Sequence, residues 1–172
     1  MRTESASGSL ADPAPNDDPE AVARAIVLRS LNASPRSRAE LEARLLGRGV
    51  DDGTATRVLD WCEAVGLVDD EAYASLVVRS KQRSRGLGRR ALVQELRRRG
   101  VEDHVAEVAL ADVDDDNEEE VATRFAERRL RTMRGLDPQT TVRRLAAMLA
   151  RRGYSSERSL RVARAVVGAG GS

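Results

Sequence analysis

With 172 residues, the chain is sized for one or two domains. It has a single cysteine, which excludes an internal disulfide and a cysteine-based zinc site, and no apolar run near the ~20 residues that a membrane helix needs. Hydrophobic residues make up 41% but aromatics only 2%, which favours helices packed through Leu, Val and Ala over a β-sandwich, and the net charge of +1 conceals strong local segregation of charge.

Residues 1–17, rich in Ser, Ala, Pro and Asp and without periodicity, are expected to be a disordered tail. Asp18-Pro19-Glu20 opens a first helix, with Asp18 as cap, Pro19 at the first helical position and Glu20 complementing the dipole. Asn32 to Arg36, punctuated by Pro35, is expected to break it. Ser37 and Glu40 form a capping box that opens a second helix, with Leu41, Leu45 and Leu46 on its inner face and Gly47 and Gly49 at its end. Asp51 or Asp52 caps a third helix bearing Val58, Leu59, Trp61, Cys62 and Val65, and Gly66 stops it. Asp69 caps the next helix, which carries Tyr73, Leu76 and Val77; Ser84 to Gly88 is a joint; helix 89–99 carries Leu92, Val93 and Leu96 and stops at Gly100. Glu102 and Asp103 open a short helix with Val105, Val108 and Leu110. An acidic run from Asp112 to Glu120 follows, then a helix with Val121, Phe125, Ala126 and Leu130 that ends by Gly135. Asp137-Pro138 starts helix 138–152, Gly153 stops it, and Ser155 or Ser156 caps the last helix, with Leu160, Val162, Val166 and Val167.

The spacing repeats. Leu92, Leu96 and Gly100 reproduce Leu41, Leu45 and Gly49 at an offset of 51, and Leu145, Leu149 and Gly153 reproduce them again 53 residues later. At the offset of 51, Glu20, Val27 and Arg38 also reappear as Glu71, Val78 and Arg89. A period near 50 marks a repeat architecture. No segment alternates as a strand does. The expected fold is all-α: an elongated tandem array of three three-helix repeats, about nine helices, divided at 18–66, 67–112 and 113–168, with a frayed end at 169–172.

Catalysis is poorly supported. His104 is the only histidine and follows two acids at a helix start; Cys62 sits among core-spaced residues; Gly86-Leu-Gly88 lacks the strand and third glycine of a nucleotide loop. The acidic run lacks the order of a calcium loop and reads as a solvated helix start. No enzyme activity, cofactor or metal is expected. The arginines are more informative. Seven fall between Arg83 and Arg99 against the single acid Glu95, and seven between Arg143 and Arg164 against Glu157. Such stripes suit a phosphate backbone or an acidic protein groove, with solvated helix faces as the plain alternative. Scarce aromatics argue against base stacking, and no base-reading side chains stand out. The chosen partner or phosphate contacts are Arg83, Arg85, Arg89, Arg90, Arg97 and Arg98, while Asp69, Asp70, Tyr73, Leu92, Leu96 and Gly100 are assigned to architecture.

Gly66-Leu67-Val68-Asp69-Asp70-Glu71-Ala72-Tyr73-Ala74, followed by Gly88, Leu92, Glu95-Leu96 and Arg99-Gly100-Val101, resembles the RecX regulators, small bacterial proteins that modulate the recombinase RecA. The likeness spans about residues 19–167, with a weaker third-unit match at Leu145, Leu149 and Arg151-Arg152-Gly153-Tyr154. Tyr73 and Tyr154 stand where that family often has Phe, and the acidic run is unusually long. The resemblance implies tandem three-helix repeats that bind the RecA–DNA filament in or along its groove and inhibit strand exchange, ATP hydrolysis and coprotease activity. The expected partner is that filament, with DNA touched weakly and without sequence preference through it; with no signal-peptide apolar region and no membrane-length run, a cytoplasmic monomer with no membrane association is expected. A DNA-binding architectural protein acting without RecA is the competing expectation.

Overall fold

The computed structural model describes residues 18–133 and 135–170; the expected tail at 1–17 and the last two residues lie outside them. Among the described residues nine helices follow one another: α1 Pro19–Ala33, α2 Arg38–Leu46, α3 Asp52–Ala64, α4 Asp70–Arg85, α5 Arg89–Arg98, α6 Asp103–Ala109, α7 Asp115–Leu130, α8 Pro138–Ala150 and α9 Ser156–Gly170. There is no strand among the described residues. The helix starts follow from capping chemistry. Asp51, Asp69, Asp114 and Asp137 each accept a backbone N–H from the first turn they precede, and Ser37 and Glu40 close a reciprocal box. Gly49, Gly66, Gly86, Gly100 and Gly153 turn the chain out of or between helices at positive φ.

The helices pack as triplets, each around its own core. Val27, Leu41, Leu45, Val58, Leu59 and Cys62 fill the first; Tyr73, Val78, Leu92, Leu96, Val105 and Leu110 the second; Phe125, Leu149, Tyr154, Val162 and Val166 the third. Three helices differ at their ends from what the sequence predicts. α1 runs through Asn32 to Ala33, because the constraint sits later: Ser34, just before Pro35, is fully extended. α7 begins inside the acidic run and ends at Leu130, before the expected stop. α9 continues through Gly168 to Gly170, whose Cα side lies against Leu130. Six of the apolar residues named for these helices are exposed: Leu46, Trp61, Val65, Leu76, Val108 and Leu160. Leu45 and Leu46 lie ~100° apart around a helix, so one of them must face out. Trp61 instead carries the Arg24 guanidinium over its ring at 5.5 Å.

Neighbouring triplets meet through one joint used twice. At the first, Ser37 Oγ donates to the Arg99 carbonyl and the Arg38 N–H donates to Asp70 Oδ1 at 2.8 Å. At the second, the Gly88 N–H donates to the Arg152 carbonyl at 2.9 Å and the Arg89 N–H to Glu118 Oε1 at 2.7 Å. In both, the start of a triplet's second helix binds the end of the next triplet's second helix and an acid from its first. Closeness demands glycine there. A Cβ on Gly100 would strike the Ala39 methyl, and one on Gly153 would fall 2.5 Å from the Ala91 nitrogen.

Candidate partner-binding site

The six arginines chosen from sequence do not form one patch. Arg89 is a brace: its guanidinium donates to the carbonyls of Leu110, at 2.6 Å, and Val113, tying α5 to the end of α6. Its counterpart in the first triplet, Arg38, likewise spans to its own third helix, pairing with Asp60 and Glu63. Arg97 pairs with Asp103 at 2.9 Å and Arg98 with Glu95 at 2.5 Å. Arg83, Arg85 and Arg90 carry no side-chain hydrogen bond or ion pair among the described residues, but they line three separate clefts.

Of the architectural set, Asp69 caps α4, Asp70 accepts from Arg38 at the first joint, Gly100 meets Ala39 there, and Leu92 and Leu96 are buried in the second core. The Tyr73 hydroxyl bonds Glu40 at 3.1 Å and receives Arg99 at 2.6 Å. Glu95, almost fully buried, accepts from Lys81, Arg99 and Arg98. Burial pushes its carboxyl up, but those three cations outweigh burial and hold it at about 2. The acidic run is likewise spoken for. Asp115, Glu118 and Glu119 surround Arg158, and Glu119 also binds Arg161 at 2.7 Å, so the run clasps α7 to α9. Glu118 is buried, where a solvated helix start was expected.

What remains is a basic seam where the second triplet meets the third. Arg85, Arg128, Arg129, Arg151 and Arg152, with Ser84, Leu87 and Phe125, line a shallow cleft of about 570 Å³ that contains no acid. Arg152 lies 3.9 Å over the Phe125 ring and donates to the carbonyls of Arg85 and Met148. Burial, then the charges of Arg129 and Arg151, push its guanidinium below the usual arginine range. A second cleft continues along α4 and α7 past Arg79, Arg83, Arg124 and Arg128. Arg79, Arg128 and Arg129 were not among the sequence candidates; Arg124 and Arg128, one turn apart on a helix beside the joint, were the available signal.

This arrangement of three joined triplets is that of a known family. Family models for RecX match all three in order: the first three-helix domain over residues 23–62, the second over 69–110 and the third over 116–162. The chain belongs to the RecX family. It is 47% identical over 150 residues to the regulatory protein RecX of Streptomyces coelicolor, covering 87% of this chain and 80% of that one. It is 46% identical over 163 residues to RecX of a Mycobacterium species, strain KMS, covering 91% and 88%. The fold matches the crystal structure of RecX from Lactobacillus salivarius with a TM-score of 0.75 at 19% identity, over 87% of this chain and 97% of that one. Its RecX relatives are named regulatory proteins, and the described residues hold no helix long and apolar enough to cross a membrane.

Proposed function

We propose that the chain binds the RecA–DNA filament and inhibits RecA's recombinase, ATPase and coprotease activities, restraining recombinational repair and the SOS response. It acts in the cytoplasm as a monomer without cofactor or catalysis, and it touches DNA weakly, through the filament. The observation that carries this reading is the basic seam. Arg38, Arg89, Arg97, Arg99, Arg158 and Arg161 are all matched inside the fold, whereas Arg79, Arg83, Arg85, Arg128 and Arg151 have no ion pair among the described residues. Cations left unmatched by the fold seek an external polyanion, either an acidic protein groove or a phosphate backbone. Among the described residues His104 is exposed beside Glu102, and burial pushes the Cys62 thiol up, away from a reactive thiolate. Three joined triplets lying along successive filament subunits add their contacts through effective concentration.

Retention on labelled single-stranded and duplex DNA, with and without RecA and ATP, tests the reading. Weak retention on bare DNA that rises sharply with the filament supports it. Tight, steeply salt-dependent binding to bare duplex, with no gain from RecA, would instead identify an architectural DNA-binding protein.

A further inference from the structure

The two joints share a hydrogen-bond pattern but not a charge balance. At the first, the cations that bridge it have acids: Arg38 has Asp60 and Glu63, Arg99 has Glu40 and Glu95, and Lys81 has Glu95, while Arg36 beside them has no ion pair among the described residues. At the second, one flank is matched, with Arg158 among Asp115, Glu118 and Glu119. The other flank brings Arg85 of the second triplet against Arg128, Arg129, Arg151 and Arg152 of the third without a carboxylate. Arg152 is held there by Phe125 and two carbonyls, and its Nη2 has no partner among the described residues. Like charges converging across a seam, on side chains whose planar forks suit oxyanions, form a site that lacks its counter-ion.

We propose that this flank is a phosphate-binding site that braces the joint, so that a phosphate oxyanion bridging Arg85 to Arg129 and Arg151 fixes the third triplet against the second. It rests on the same seam as the proposed function and adds a consequence: the placement of the third triplet depends on the anion. The phosphate could be supplied by a nucleic-acid backbone or by a free phosphate compound, and the two sources separate experimentally.

The readout is hydrogen exchange at the Gly88 amide, which donates to the Arg152 carbonyl across the joint. The protein alone is measured at constant ionic strength in chloride, in pyrophosphate and with a short single-stranded oligonucleotide. An anion at ten times its Kd is expected to slow that exchange about tenfold. The R129Q/R151Q variant should lose the effect, and R143Q/R144Q, on the exposed face of α8, should keep it. Slowing by both ligands supports a local phosphate site; slowing by the oligonucleotide alone supports it with the nucleic-acid backbone as the source. No slowing beyond chloride, or slowing that survives R129Q/R151Q, overturns it. Because RecA is absent, that failure leaves the filament reading standing, and loss of filament inhibition would leave this site standing.

Discussion

Glu95 shows how much one residue settles. Its folded carboxyl is held at about 2 against an ordinary value of 4.5, so the stabilisation is present in full above about 4.5 and is lost as pH falls toward 2. Replacement by Gln is expected to cost about 3 kcal/mol at neutral pH, with the gap to the parent closing on acidification. Urea unfolding between pH 7 and pH 2.5 measures it, and a pH-independent gap would refute the ion-pair origin. The joint glycines give a second comparison. Gly100 combines positive φ with contact on Ala39, whereas Gly49 has positive φ in open space. Alanine is expected to cost about 3 kcal/mol at Gly100 and about 1 kcal/mol at Gly49 by urea unfolding. Both glycines were legible as helix stops. That one is also an interface was not, since a stop and a close approach use the same residue.

At the scale of the helix, the α7–α9 clasp is the most exposed to test. Arg158→Gln leaves Glu118 buried without its cation and is expected to destabilise by about 3 kcal/mol. Hydrogen exchange should show the loss confined to α7 to α9, with α1 to α3 unchanged; a uniform loss would mean that the triplets do not hold separate cores. Helix starts and stops were readable because capping chemistry is local: Asp69, Ser37 and Asp137 do what their residue types do at such positions. Faces were less readable. Leu46 and Trp61 sit next in sequence to core residues, and only the neighbouring helix decides which of an adjacent pair turns inward. The arginines were harder still. Arg89 reads as a free cation until α6 places two carbonyls in its reach, yet its match to Arg38 at an offset of 51 already marked it as part of the repeat.

At the scale of the molecule, the tandem order was legible from period alone, because each triplet must bury the same leucine stripe. The proposed working surface was not, since it arises between repeats, from the ends of α4 and α8 and the C-terminal half of α7. The joints differ in charge: the cations bridging the first are paired with acids, whereas one flank of the second gathers Arg85, Arg128, Arg129, Arg151 and Arg152 without a carboxylate. The central claim, that this seam engages the RecA filament, is tested most directly by RecA's ATPase on single-stranded DNA with substoichiometric protein. The parent chain is expected to inhibit, and R83E/R128E/R151E, which removes no internal ion pair, is expected to need at least about tenfold more protein at unchanged helicity. Inhibition by that variant equal to the parent's, or none by the parent at any ratio, would contradict the account.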